Sequence, residues 1–149
     1  MTISYVALFP NSGYTRVNFT EFYMYMGYCS SDNLTENYQD NYVSGTRTTV
    51  FERTSAFTVN AVYPWTGIVL DTPFWYNPSA GNLVIEIAWP DGDDEIYTFN
   101  YGTPGVGSLV MGFYDLSYGG VFQEAPYLRF EGDYAFDQTT FAGIKASFR

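Results

Sequence analysis

The strongest constraint on the fold is an alternation of apolar and polar residues with a period of two. In residues 57–65 and again in residues 82–89, every second position is apolar. Successive side chains of a β-strand point to opposite faces, so this alternation places one apolar face of each segment against a core. Segments rich in β-branched and aromatic residues occur in seven more places: 3–9, 19–28, 47–52, 95–101, 107–114, 127–132 and 140–148. The sequence predicts about nine strands.

Short turn motifs separate these segments. They include PNSG at 10–13, NPSAG at 77–81, PDGDD at 90–94 and GTPGVG at 102–107. Glycine supplies positive φ, and proline presets φ for a turn. Strands at this spacing predict an all-β fold, an antiparallel β-sandwich of the jelly-roll or immunoglobulin-like type. The 149 residues suit a single domain, 1–149. The longest irregular stretch, 30–46, is expected to hold one short helical turn.

The stretch LDTPFWYNPSAGNLVIEIAW at 70–89 predicts a corner of this fold. A strand over 65–70 is expected to break at 71–73, and the turn at 77–81 leads into the next strand. Pro73 cannot donate a ladder hydrogen bond, so it is expected at a strand start, an edge or a bulge. Asp71 is expected to accept backbone N–H bonds within the turn.

Charge and cysteine content exclude several classes of protein. Sixteen acidic residues against six basic ones give a formal charge of −10, which disfavours nucleic acid as a partner. The single cysteine, Cys29, cannot form an internal disulfide, and we expect a buried thiol. No segment approaches the ~18 consecutive apolar residues of a membrane-spanning helix.

Catalytic constellations are hard to assemble from this sequence. There is no histidine, which excludes Ser-His-Asp and Cys-His arrangements, and we expect no catalytic residue, no metal and no cofactor. The acidic cluster Asp91, Asp93, Asp94 and Glu95 lies in a proline-glycine turn, so we interpret it as solvated loop acids. Paired carboxylates for glycoside hydrolysis and a calcium site are the alternatives.

The corner also carries a resemblance to a known family. The pattern, a tryptophan followed by I-x-L-D-T-P-F-x-Y and then N-L-V-I-E-I, resembles a β-sandwich module of secreted multidomain surface proteins in Bacteroidetes and neighbouring bacteria. The matching residues are Trp65, Ile68, Leu70, Asp71, Thr72, Pro73, Phe74, Tyr76, Asn82, Leu83, Val84, Ile85, Glu86 and Ile87. FYMYMGYCSSDNL at 22–34 and TVF at 49–51 are similar to further parts of the module. The resemblance, over about 20–131, implies an extracellular β-sandwich, structural or adhesive and without known catalytic residues.

Aromatic residues exceed what one core of this size needs. The chain has fifteen tyrosines, thirteen phenylalanines and three tryptophans, and tyrosine tolerates a half-wet surface. Exposed rings either stack on sugars or pack against neighbouring subunits, although scattered rings without a role are also compatible. The candidate surface rings are Tyr38, Tyr42, Trp75, Tyr76, Tyr114 and Tyr118.

The last segment, 140–148, alternates apolar residues with polar or small ones. Ala142, Ile144, Ala146 and Phe148 would share one face of a strand. Such a strand either closes its own sheet or adds to the sheet edge of a neighbouring subunit.

These features predict a non-catalytic structural protein, a subunit of an extracellular filament or cell-surface assembly that forms a homo-oligomer or homopolymer. A carbohydrate-binding or adhesive module, with glycans as partners, is the first alternative. A virion structural protein is the second, because the first residues lack the pattern of a secretory signal.

Overall fold

A computed structural model describes residues 1–11, 13–94 and 96–133. The strands are β1 Thr2–Leu8, β2 Tyr14–Phe19, β3 Phe22–Cys29, β4 Thr48–Arg53, β5 Phe57–Val62, β6 Thr66–Trp75, β7 Asn82–Ala88, β8 Asn100–Gly102, β9 Leu109–Met111, β10 Gly120–Phe122, β11 Glu124–Pro126 and β12 Leu128–Asp133. Two short 3-10 helices occupy Gln39–Asn41 and Pro78–Ala80, and the described residues contain no α-helix. The prediction of an all-β chain is confirmed.

All strand pairs within the described residues are antiparallel. The strands form five small sheets, ordered β12-β1-β6, β4-β3-β7, β2-β5, β11-β8 and β10-β9. The described residues contain twelve strands, compared with about nine expected from sequence. The strands that the sequence did not predict are β2, β10 and β11. The strand expected over 140–148 lies outside the described residues.

The apolar faces of β1 to β6 meet in one core. Met24 and Met26 on β3 are fully buried, while Tyr23 and Tyr25, which alternate with them, are partly exposed, as a two-residue period requires. The core consists of Ile3, Val6, Val17, Phe19, Phe22, Met24, Met26, Val50, Phe51, Val59, Leu70 and Phe74. Cys29 is a buried free thiol, as predicted.

The corner at residues 70–73 is a bulge inside β6. On β1, Ile3 pairs with Phe74 and Tyr5 pairs with Val69, so four residues of β6 lie opposite one residue of β1. The expectation that residues 71–73 end the strand is wrong, because β6 resumes its pairing beyond them. Pro73 lies in the bulge, one of the three positions expected for it, where no ladder bond is required of it.

Asp71 lies in this bulge, and its side chain links β6 to β4. Its carboxylate accepts the backbone N–H of Glu52 at 3.1 Å and pairs with the Arg53 guanidinium at 2.6 Å. The Arg53 hydrogen bond and the Glu52 N–H lower the pKa of Asp71. Asp71 therefore accepts a backbone bond across strands and not within its own turn.

The irregular stretch 30–46 contains the predicted helical turn and is fixed by a buried amide. The Asn41 side chain accepts the Thr35 N–H at 2.7 Å and donates to the carbonyl oxygens of Thr35 and Asn37 at 3.0 and 3.1 Å. The oxygen and the NH2 group of this amide both have hydrogen-bond partners, as expected of a buried polar side chain. The loop consequently has a defined path past the sheets.

We expect Met24→Ala to lower the free energy of unfolding by about 2–5 kcal/mol, because it leaves a cavity in the core. Thr49→Ala, at an exposed position of β4, is the matched control and should change it by less than about 0.5 kcal/mol. Urea denaturation followed by tryptophan fluorescence measures both. Equal losses in the two variants would contradict the assignment of the core.

Candidate functional site

Residues 97–127 form a long two-stranded ribbon, here called the arm. Asn100 pairs with Pro126 near its base, and Met111 pairs with Gly120 near its end. Residues 103–108 interrupt the two short ladders, and residues 112–119 form the tip. The six glycines from 102 to 120 suit these turns and ladder breaks, since glycine adopts backbone conformations that other residues resist.

The base of the arm is held by an aromatic cluster around Phe9. The Phe9 ring lies 4.9 Å from the ring of Trp65, 5.2 Å from that of Tyr63 and 5.4 Å from that of Phe99. The Phe99 N–H donates to the Phe9 carbonyl, and the Tyr127 N–H donates to the Phe99 carbonyl, both at 2.9 Å. Ring packing and backbone bonds together fix where the arm leaves the body.

The far end of the arm contacts the irregular loop. The Leu34 N–H donates to Gly107 O at 2.7 Å, and the Gly119 N–H donates to Glu36 O at 2.8 Å. A Cβ at Gly112 or Gly119 would clash with the Tyr38 hydroxyl, and one at Gly119 would also clash with the backbone carbonyl oxygen of Met111. The close approach of Tyr38 and of the two strands at the tip therefore requires glycine at these positions.

Much of the arm's surface is apolar and exposed. The exposed large apolar and aromatic residues of the arm are Tyr97, Phe99, Tyr101, Met111, Phe113, Tyr114, Leu116, Tyr118, Val121, Phe122 and Tyr127. Elsewhere in the described residues they are Tyr14, Val62, Tyr63, Val69, Trp75 and Trp89. At the tip, a hollow of about 330 Å³ is lined by Met111, Phe113, Leu116 and Tyr118 with Glu36 and three glycines.

The arm is also nearly free of charge. Asp115 and Glu124 are its only charged residues, in a chain whose formal charge is −10. Large exposed apolar patches with few charges mark contact surfaces in soluble proteins. We therefore take the arm as the candidate functional site.

The six candidate rings from the sequence fall into different environments. Tyr114 and Tyr118 are exposed at the tip, and Tyr38 is partly buried beneath it. Trp75, the last residue of β6, is 59 % exposed and lies outside residues 97–127 of the arm. Tyr76 is partly buried, and its ring stacks on Tyr28 at 6.0 Å. The structure thus brings three of the candidates to the arm and separates Trp75 from Tyr76.

Most of the arm's apolar residues were not singled out from sequence. Phe113 is 76 % exposed, and Phe99, Tyr101, Phe122 and Tyr127 also lie on the arm's surface. The available signal was the scarcity of charge between residues 97 and 127, where apolar segments alternate with glycine turns.

Tyr42, the sixth candidate, belongs to a polar cluster on the outer face of β3 and β7. Its hydroxyl donates to Glu86 at 3.0 Å, and the Arg47 guanidinium binds the same carboxylate through two bonds of 2.9 and 2.8 Å. The guanidinium carbon lies 3.5 Å above the Tyr25 ring centroid. Burial, then the Glu86 carboxylate, raise the pKa of Tyr42. The cluster ties the end of the irregular loop to the sheet and covers one face of the Tyr25 ring.

The acidic loop is bound to β2. Asp93 accepts the Asn18 backbone N–H at 2.7 Å and its side-chain amide at 2.6 Å, which lowers the pKa of Asp93. The Asp91 carboxylate accepts the N–H of the next residue, Gly92, at 2.9 Å. Within residues 1–133 apart from Ser12 and Glu95, no three His, Cys, Asp or Glu side chains converge on a common metal position.

No helix in the described part of the chain has the length and apolarity needed to cross a membrane. The strand-addition candidates Ala142, Ile144, Ala146 and Phe148 lie outside the described residues.

Comparisons of the chain with protein-family models, with curated proteins and with solved structures found no match. The resemblance to the Bacteroidetes surface module stays a prediction from the sequence.

Ionisation of Tyr42 should lower the free energy of unfolding at alkaline pH. Its pKa is raised above the ordinary value of 10.0, so its contribution is complete below about pH 10 and is lost as the pH rises through the folded-state pKa. We expect Tyr42→Phe to flatten the decline in the free energy of unfolding between pH 9 and about pH 11.5, measured by urea titration. Tyr118→Phe, at the exposed tip, is the control, and an unchanged slope in Tyr42→Phe would contradict the assignment.

Proposed function

We propose that this chain is a non-catalytic structural subunit that assembles with copies of itself through the arm. The observation that carries the proposal is the concentration of exposed apolar side chains on residues 97–127. A two-stranded ribbon is marginal in water unless it packs against another surface. Contact between subunits would supply that surface.

The low charge of the arm permits a second copy as the partner. Two copies with a formal charge of −10 repel each other over most of their surfaces, but the arm carries only two acidic residues. Interface cores are depleted of charge and enriched in aromatic residues, as the arm is. Two arms packed together cover both apolar faces without bringing many like charges into contact.

The body of the subunit fits a β-sandwich. The sheets β12-β1-β6 and β4-β3-β7 both contribute residues to one core, and the β2-β5 pair adds Val17, Phe19 and Val59. Sheets that share a core through alternating side chains are the basis of a sandwich. This arrangement supports the jelly-roll or immunoglobulin-like class predicted from sequence.

The resemblance to secreted surface modules favours a location outside the cell, in a filament or another surface assembly. The separation of Trp75 from Tyr76 gives less support to a sugar-stacking platform at the corner. Phe113 and Leu116, both exposed at the tip, are suited to subunit contact.

The test is the double variant Phe113→Asp/Leu116→Asp, which places two charges on the tip. We expect the dissociation constant for self-association to rise at least about tenfold, since central apolar contacts each contribute about 2 kcal/mol or more. Sedimentation velocity over a range of concentrations measures it, and circular dichroism checks that the variant is folded.

Trp75→Ser is the matched control, because it removes an exposed ring that does not belong to the arm. It should associate like the wild type. A wild-type chain that stays monomeric near millimolar concentration, or a double variant that assembles as well as the wild type, would overturn the proposal.

A further inference from the structure

Residues 33–38 of the irregular loop, a segment that we call the clasp, run beside the arm. The Leu34 N–H donates to Gly107 O at 2.7 Å, and the Asn33 side-chain oxygen accepts the Gly107 N–H at 2.9 Å. One arm residue therefore has both its N–H and its C=O bound by the clasp. This contact lies where residues 103–108 interrupt the two ladders of the arm.

The other end of the clasp pairs with the tip. Asn37 forms an antiparallel bridge with Tyr118, and the Tyr38 N–H donates to Ser117 O at 3.1 Å. The clasp thus adds a short third strand at this point, and three strands are more stable than an isolated two-stranded ribbon. The tip is consequently held by the clasp as well as by the ladder of the ribbon.

A buried amide sets the shape of the clasp. Asn41 is 5 % exposed and is the one buried polar side chain in the part of the chain that the structure describes. Its amide binds the N–H and the C=O of Thr35 and the C=O of Asn37, so it reaches the middle of the clasp from the helical turn that follows. Residues 35–37 are exposed and bury little apolar surface of their own. Their backbone is therefore held mainly by the hydrogen bonds of Asn41.

The residues after Asn41 connect it to the sheet. The Val43 N–H donates to Tyr28 O at 2.7 Å, and the Tyr42 ring lies against Gly27 of β3. Asn41 thus lies between a segment that is anchored on a sheet and a segment that contacts the tip. The contacts form one path from β3 through Asn41 to the arm.

We propose that Asn41 is a positioning residue for self-association, which it supports by holding the clasp in the conformation that fixes the tip. This inference rests on the proposed function and names a residue that controls the affinity of the same contact. Asn41 is buried and so meets no partner itself. Because only molecules with the tip in place can associate, the apparent dissociation constant is the intrinsic one divided by the fraction of such molecules. In an arm-to-arm contact both tips must be in place, which increases the effect.

Asn41→Asp tests this assignment with a side chain of nearly the same shape. The carboxylate can accept the Thr35 N–H, but it cannot donate to the carbonyl oxygens of Thr35 and Asn37. We expect the dissociation constant for self-association, measured by sedimentation velocity, to rise at least about threefold. Gln39→Ala, at an exposed position of the same short helix, is the control and should associate like the wild type. An unchanged dissociation constant for Asn41→Asp would overturn the inference.

Backbone ¹⁵N relaxation distinguishes positioning of the tip from a general loss of stability. Lower global stability alone leaves the folded molecules as rigid as before, whereas release of the clasp makes the tip mobile. In dilute, monomeric Asn41→Asp we expect the order parameters of residues 112–119 to fall below about 0.6, while those of β3 stay near about 0.85. A tip as rigid as in the wild type would overturn the inference, even if association were weaker.

The two measurements also separate this inference from the proposed function. If Asn41→Asp loosens the tip while association is unchanged, the inference fails, and assembly through the arm is still decided by the tip variants. If the wild-type chain never self-associates, the proposed function fails and this inference fails with it, although a loosened tip would still show that Asn41 fixes the arm.

Discussion

A two-stranded ribbon cannot bury its own apolar side chains, and this constraint governs the arm and its surroundings. The rest of the protein packs against the ribbon at both of its ends. The cluster around Phe9 covers the base, and the irregular loop contacts the tip through Tyr38. Between these supports the arm keeps its exposed rings, so its position is fixed while its surface remains available. Preorganisation of this kind reduces the ordering cost of binding.

Several of the acidic residues stabilise the fold through hydrogen bonds. Asp71, Asp93 and Glu86 are each engaged in hydrogen bonds that join one segment to another. The partners are the backbone N–H groups of Glu52 and Asn18 and the guanidinium groups of Arg53 and Arg47. These acidic residues stabilise the fold and contribute to the negative net charge, whereas the arm carries little charge. A surface that repels copies generally but not at the arm favours one mode of contact.

Alternation and the content of β-branched and aromatic residues were enough to predict β1, β3, β4, β5 and β7, and burial follows a period of two in much of β3 and in β5. Alternation failed for β10 and β11, since a three-residue strand has no measurable period and its pairing depends on a distant partner. The exposure of single rings was equally hard to predict. Tyr76 turns inward because Tyr28, 48 positions earlier, offers a ring to stack on, and Tyr42 is held by Glu86. Such contacts depend on the register between strands, which the local sequence does not encode.

The symmetry of the proposed arm contact limits the assembly that it can form. Arm against arm is a contact between identical surfaces, so it closes on itself as a pair. A filament needs, in addition, a contact between two different surfaces of the subunit, because only such a contact leaves a free surface at each end of the assembly. The arm alone therefore accounts for a dimer, and a longer assembly requires a second contact elsewhere on the subunit.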